Sequence, residues 1–249
     1  MHHRAAEYDY EASSYDESRF CGGLGKHLDY MHKRIVGGFL HTNRKMVLDV
    51  GTGTGRFAAW LAKKGFEVIG VDVSEEMLKK AKRKAHPQSK NVHLVLGDVN
   101  FLPFRKGTFG SCICINVINH IHSANKFFNE VRYVIRPEGF FIFNFPNLQS
   151  PYLPIAIIVN LRKKALFKGG KIRSKWFTLR EIDKLLSETG FNIEELQGCM
   201  IASPIPLGES LVKIVRIINF FCKTSKFKLF SSSLFIKAQP FTKLKLAVP

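Results

Sequence analysis

Acidic residues are scarce in this chain of 249. Asp and Glu number 20 against 38 Lys and Arg, a formal net charge of +18. The shortfall is uneven. Residues 1–147 carry 21 basic and 14 acidic residues, residues 148–249 carry 17 and 6, and residues 148–180 hold eight basic residues and no acid. Cysteine is sparse as well. The five cysteines (Cys21, Cys112, Cys114, Cys199 and Cys222) include no C-x-x-C pair, which excludes a zinc ribbon. An odd, scattered set in a mid-sized chain excludes a disulfide scaffold and predicts reduced thiols in a cytoplasmic protein. Long apolar runs are missing too. The longest low-charge stretch, Pro151 to Leu161, is too short to span a bilayer as a helix. The first 18 residues are acidic and polar and lack the apolar stretch of a secretory signal. No His/Cys cluster has metal-ligand spacing, so no metal is expected.

What is present is a rhythm of short apolar runs and helical patterns between residues 46 and 145. Met46 to Val50 is an apolar run that stops at glycines and reads as a buried strand. Gly55 to Lys64 has helical spacing and closes with cations and Gly65, an ordinary helix stop. Glu67 to Val71 is a second strand, and Ser74, followed by Glu75 and Glu76, caps a helix running to about Ala85. Asn91 to Leu96, Ser111 to Ile115 and Phe140 to Phe145 read as the next three strands, with a helix from Ser123 to Ile135 before the last of them. Strands alternating with helices of this length predict right-handed crossovers and a parallel sheet. Further on, Thr178 to Glu181 is a capping box opening a helix that stops at Gly190. Phe191 to Leu196 is a sixth strand, Leu207 to Phe221 is helical, and Leu229 to Lys237 is a seventh strand. The expected layout is an N-terminal helical extension over 1–45, a core over 46–147, and the rest of the same α/β domain over 148–249, with a basic lid or insertion at 148–175.

The informative segment is Val47-Leu-Asp49-Val-Gly51-Thr52-Gly53-Thr-Gly55. A glycine-rich turn between a strand and a helix N-terminus lets a cofactor approach the backbone. A dinucleotide site wants G-x-G-x-x-G, but position 56 is Arg and the third glycine comes one residue early. Asp49 before the glycines would repel a pyrophosphate and suits a ligand with an ammonium group. S-adenosylmethionine (SAM) has that ammonium, no phosphate, and a carboxylate that backbone N–H groups can hold. Asp72, ending the second strand, can accept from both hydroxyls of a ribose. Asp98 after the third strand can accept from an adenine amino group, with Val99 flanking the ring. All three carboxylates fall at carboxyl ends of strands, where open α/β sheets bind ligands.

The stretch VLDVGTGTGRFAAWLAKKGFEVIGVDVSEEML resembles the core of the class I SAM-dependent methyltransferases. LVLGDVNFLPF, the residues from Asn116 to His122, EVRYVIRPEGFF and TLREIDKLLSETGF are similar to later parts of that family. The likeness is nearest to small-molecule enzymes of the ubiquinone/menaquinone-biosynthesis type, whose Tyr/Phe-Asp pattern near the N-terminus is echoed by Tyr8-Asp9 and Tyr15-Asp16. The resemblance implies an α/β, Rossmann-like fold: a seven-stranded, mostly parallel sheet with helices on both faces and an antiparallel last strand. It implies a SAM site built from Asp49, Gly51, Thr52, Gly53, Gly55, Arg56, Asp72, Val73, Met77, Asp98, Val99, Asn116 and Val117. Two positions depart from the family pattern, Phe109-Gly110 where F-D is common and Pro137-Glu138-Gly139 where P-G-G is common.

Asn116, His120 and His122 follow the fourth strand, where a methyl group would face its acceptor, and either histidine can serve as a general base. The plainer reading has these residues capping the next helix or lining the pocket. Methyl transfer needs no base in principle, since alignment alone can supply ~7–11 kcal/mol. Arg56 lies either beside the methionine end of the cofactor or in solvent. Tyr8 and Tyr15 either close over the cofactor or belong to a solvated terminus. The basic C-terminal part fits a phosphate-rich partner, either nucleic acid or an anionic membrane face, or it is a solvated surface with no partner. Apolar stretches beside cations, Pro151 to Leu161 before Arg162-Lys163-Lys164 and Leu211 to Cys222, suit a lipid-like acceptor and a membrane-peripheral location. Three functions stay open: a methyltransferase for a small or lipid-like molecule, an RNA methyltransferase, and a non-catalytic SAM-binding module.

Overall fold

A computed structural model describes residues 2–40, 46–151, 153, 175–199 and 226–241. Three helices come first: α1 (His2–Glu11), α2 (Tyr15–Phe20) and α3 (Gly23–Phe39). The alternating part follows as β1 (Met46–Val50), α4 (Arg56–Lys63), β2 (Glu67–Asp72), α5 (Glu75–Ala85), β3 (Val92–Leu96), β4 (Phe109–Cys114), α6 (Ala124–Val134) and β5 (Ile135–Pro146). The chain then adds α7 (Leu179–Glu188), β6 (Phe191–Cys199) and β7 (Ser233–Pro240). The strands form one seven-stranded sheet in the order β3-β2-β1-β4-β5-β7-β6. Every pair from β3 to β5 is parallel. β7 is the antiparallel strand, inserted between β5 and β6. This is the expected Rossmann-like sheet, with the order reversing at β1 and β4, where such sheets open a crevice.

The sheet carries a core on each face because β5 alternates. Phe141, Phe143 and Phe145 point to one side and meet Phe127 and Phe128 of α6 and Phe191 of β6, all fully buried. The rings of Phe128 and Phe143 meet at 5.2 Å and 74°, the edge-to-face geometry that aromatic quadrupoles favour. Ile142 points the other way, into a cluster with Phe57 and Leu61 of α4 and Leu28, Ile35, Val36 and Phe39 of α3. Helix α3 therefore belongs to the packed body of the molecule.

Several boundaries differ from the sequence expectation. β5 starts at Ile135 rather than Phe140, because Ile135 pairs with Phe109 before a register shift between Phe109 and Ser111. Gly139 permits that irregular entry, since a Cβ there would lie 2.8 Å from the Gly110 carbonyl oxygen. β7 starts at Ser233 rather than Leu229. Lys226–Phe230 is instead a 3₁₀ turn, and Leu229 and Phe230 stand exposed. The side-chain amide of Asn147 donates to the carbonyls of Leu229 (2.6 Å) and Ser231 (2.9 Å), holding the chain off the sheet there. β6 runs three residues further than expected, to Cys199. The expected helix at 207–221 and nearly all of the basic insertion at 148–175, including Arg162, Lys163 and Lys164, lie outside the described residues, as does Cys222.

Candidate cofactor and acceptor site

The site begins where β1 runs into its glycines. The N–H groups of Gly51 and Thr52 both donate to the Val71 carbonyl, at 2.8 and 3.0 Å, so the loop is pinned to β2. Gly51, Gly53 and Gly55 all have positive φ, the left-handed region that disfavours a Cβ. Gly51 is pressed against Val117, and a Cβ on Gly55 would lie 2.8 Å from the Cβ of Ala81 in α5. Gly53 differs: nothing among the described residues lies within 4 Å of its missing Cβ. The loop thus closes onto the protein at its two ends and opens at its middle, which is the space a ligand would fill.

Asp49 is buried and accepts from the Thr52 hydroxyl at 2.7 Å. Burial pushes its carboxyl up to about 7, with the Thr52 bond and the Arg56 charge opposing. Asp72 is also buried, and burial raises it although backbone N–H groups of Ser74 and Gly53 pull the other way. Its two oxygens are spoken for on the protein side: Oδ2 accepts from Gly53 N at 2.8 Å and Oδ1 from Ser74 N at 3.0 Å. Asp72 therefore shapes the glycine loop as well as facing the cleft. Asp98 Oδ1 accepts from the backbone and side-chain nitrogens of Asn100, at 2.8 and 2.9 Å. The Asn100 Oδ1 atom is buried with no donor among the described residues.

On the other side of the crevice, Asn116 has φ 63, the one positive value outside glycine among the described residues. Such strain persists only where surroundings enforce it. Here Asn116 N donates to Asn144 Oδ1 at 2.7 Å, and Asn144 Nδ2 returns a bond to Asn116 Oδ1 at 2.9 Å and donates to Ser233 Oγ at 2.9 Å. Val117 packs on Gly51. His120 is half-buried, with the Asn119 amide nitrogen 2.9 Å from its Nε2, and its ring meets that of Tyr8 edge-on at 6.0 Å. His122 has an exposed side chain, and its carbonyl accepts from Lys175 at 3.1 Å.

The remaining candidates sort differently. Val73 and Val99 are half-buried beside their carboxylates, whereas Met77 is an interior residue under the Ser74 cap, its N–H donating to Ser74 Oγ at 3.1 Å. Arg56 is half-buried, and its charge acts on Asp49. It pairs with Asp29 of α3 at 2.5 Å and lies over the rings of Phe20 (4.1 Å) and Phe57 (4.6 Å). Burial alone would raise Asp29, but hydrogen bonds from Lys33 and Arg56 outweigh it and hold the carboxyl low. Arg56 thus fastens the N-terminal helices to the start of α4.

Sequence reasoning passed over four residues at this site: Asp9, Asp16, Asn100 and Asn144. Asn144 carried a signal, a lone polar residue inside Phe-Ile-Phe-Asn-Phe. Asp9 and Asp16 had only the repeated Tyr-Asp step. Asp9 accepts from the Ser74 hydroxyl at 2.5 Å and the Glu76 N–H at 3.2 Å. Asp16 accepts from the Thr54 hydroxyl at 2.7 Å and from Lys84 at 2.5 Å.

These groups fit SAM. The open middle of the glycine loop, two buried carboxylates at successive strand ends and the donorless oxygen of Asn100 match a ligand with an ammonium, a ribose and an exocyclic amine. No phosphate partner is called for. Residues 48–143 match the family described as a methyltransferase domain. Ubiquinone biosynthesis O-methyltransferase from Rickettsia canadensis (strain McKiel) is 26% identical over 172 residues, 69% of this chain and 72% of its own length. The protein of the same name from Thiobacillus denitrificans is 27% identical over 156 residues, 62% of this chain and 67% of its own. In fold, the chain is similar to magnesium protoporphyrin IX methyltransferase from Synechocystis PCC 6803, solved with bound SAH, the demethylated form of SAM. That match has a TM-score of 0.66 at 19% identity and covers 96% of this chain and 100% of that one. The chain carries a methyltransferase domain over residues 48–143, is similar in sequence and fold to SAM-dependent methyltransferases, and uses SAM as its methyl donor.

Proposed function

We propose that the protein transfers the methyl group of SAM to a small, lipid-like acceptor. The observation that carries this reading is an apolar rim on the carboxyl edge of the sheet, where the site opens. Leu148, just beyond β5, and Leu229 and Phe230, just before β7, are all exposed. They are brought to one edge by the Asn147 and Ser150 side chains, which bond the carbonyls of Leu229 and Phe230. Exposed apolar groups next to a cleft favour an acceptor with hydrocarbon of its own. The relatives named for ubiquinone biosynthesis support the same class of acceptor.

In this reading the glycine loop (Gly51, Thr52, Gly53, Gly55) and Asp49 hold the methionine end, Asp72 the ribose, and Asp98 with Val99 the adenine. SAM supplies an activated methyl on a sulfonium. Asn116, Val117 and His120 face the acceptor side, and alignment rather than acid–base chemistry carries the transfer. Among the described residues no helix is long and apolar enough to cross a membrane. A cytoplasmic protein that meets membranes at their surface fits that rim and the basic residues of 148–249. The RNA reading is kept because of the net charge of +18 and the cationic run Lys79-Lys80-Ala-Lys82-Arg83-Lys84 on α5. Incubating the protein with methyl-labelled SAM and separated lipid and total tRNA fractions decides between them. Label in the lipid fraction is expected. Label in tRNA, falling steeply with salt, would replace this reading with the RNA one. SAM binding with label in neither would leave a non-catalytic module.

A further inference from the structure

The N-terminal helices do something the sheet cannot. They carry acid onto a basic protein: five of the 20 acidic residues lie in positions 1–20, at Glu7, Asp9, Glu11, Asp16 and Glu17. Two of these five reach the cofactor loops. Asp9 sits at the N-terminus of α5, holding the Ser74 hydroxyl and the Glu76 N–H. Ser74 in turn donates its N–H to Asp72 Oδ1, and Asp72 Oδ2 takes the N–H of Gly53. A continuous chain of bonds therefore runs from Asp9 through Ser74 and Asp72 to the open middle of the glycine loop. Asp16 makes a second chain. It takes the Thr54 hydroxyl and the Lys84 ammonium, and Lys84 also donates to Thr54 at 3.0 Å. Between the two, Lys80 donates to the Ser13 carbonyl at 2.6 Å. Tyr8, next to Asp9, lies half-buried between the β2 side of the crevice, where it feels the charge of Asp72, and His120 on the β4 side.

We propose that α1 and α2 form a strap across the cofactor cleft, with Asp9 and Asp16 as positioning residues acting through Ser74 and Thr54. Tyr8 is the part of the strap that roofs the cleft between the cofactor and acceptor sides. The inference rests on the reading of this cleft as the SAM site and adds how that site is closed. A ligand under the strap leaves only when both latches release. The latches are contacts between an acidic segment and the cationic α5 at a partly exposed site, so salt weakens them.

The test measures release of labelled SAH from the full chain by displacement with excess SAM. It compares wild type, Asp9→Ala, Asp9→Asn and Asp16→Ala, with the melting temperature of each ligand-free protein taken alongside. Each alanine variant is expected to release SAH about tenfold faster, equivalent to about 1.4 kcal/mol. Ligand-free melting should stay near wild type. Asp9→Asn keeps an acceptor oxygen and should restore most of the slow release. Wild-type release should quicken with salt, and bound SAH should slow amide hydrogen exchange across residues 2–20. Unchanged release rates in the alanine variants, or unchanged exchange over 2–20, overturn the strap while leaving the SAM site standing. A drop in ligand-free melting with no change in release would make Asp9 merely structural. Failure of wild type to bind SAH at all would remove the site and the strap together.

Discussion

Asp49 and His32 are buried titratable groups that burial pushes in opposite directions. Asp49 is raised to about 7 and His32 is lowered to about 3. In the ligand-free protein Asp49 keeps a proton that the unfolded chain gives up above about 3.9, so its contribution to stability is lost as pH rises from about 4 to about 7. A bound ammonium reverses the preference. SAM should bind more tightly as pH rises through about 7 and should release a proton on binding near neutrality. Calorimetry in two buffers of different ionisation heat reads that proton directly, and Asp49→Asn should abolish it. A proton count of zero in wild type would remove Asp49 from the ammonium site. His32 packs its ring 5.0 Å from Phe235, and among the described residues neither nitrogen has a hydrogen-bond partner. Its neutral form contributes stability that is lost as pH falls from about 6.5 toward 3, because the unfolded chain takes up the proton first. His32→Leu should therefore move the acid-unfolding midpoint to lower pH, as followed by circular dichroism. A midpoint at or above the wild-type value would contradict this. The carboxylates at 49, 72 and 98 were legible in the sequence because each stands at a fixed place after an apolar run. The partner of Arg56 was not, since Asp29 is 27 residues away and on another helix. Nor was the lock between Asn116 and Asn144, which exists only once β4 and β5 lie side by side.

At the scale of elements, local signals transferred well and register did not. The Thr178–Glu181 capping box is present as written in the sequence, with Thr178 N donating to Glu181 Oε2 at 2.7 Å and Glu181 N to Thr178 Oγ1 at 3.2 Å. It is made of residues three apart, so nothing distant can alter it. Thr178→Ala should cost about 1 kcal/mol of stability, measured by urea unfolding. A loss below a few tenths would mean that packing of Ile182 and Leu186 sets the helix start instead. The start of β7 was misjudged because Leu229, Phe230, Leu234 and Phe235 are equally apolar in sequence. Pairing with β5 decides among them: Ser233 lies opposite Pro146 and Phe235 opposite Asn144, which leaves Leu229 and Phe230 beyond the ladder. The glycine loop is the element where local chemistry and tertiary contact coincide. Gly51→Ala would drive a methyl into Val117 at positive φ, so it should lower ligand-free melting more than Gly53→Ala, whereas the Gly53→Ala methyl enters the space a ligand fills and should cost SAM affinity in a calorimetric titration.

Over the whole molecule, charge and fold serve different ends. The sheet order follows from which runs are apolar and how long the connections are. Arg56, Lys80 and Lys84 tie the N-terminal helices down, and the excess of cations over the rest of the chain biases what approaches. Replacing Arg162, Lys163 and Lys164 with Gln should leave SAM affinity unchanged and weaken binding to vesicles containing anionic lipid. Unchanged vesicle binding would make those charges a solvated face. The central claim, that the crevice beyond β1, β2 and β3 is a SAM site, is tested most directly by calorimetric titration of the wild-type chain with SAM, beside Asp72→Ala. Saturable one-site binding is expected, weakened tenfold or more in Asp72→Ala, about the effect of charge-assisted hydrogen bonds worth ~1.5–3 kcal/mol. Absence of any heat up to about millimolar SAM, where binding free energy falls to about 4 kcal/mol, would contradict the claim.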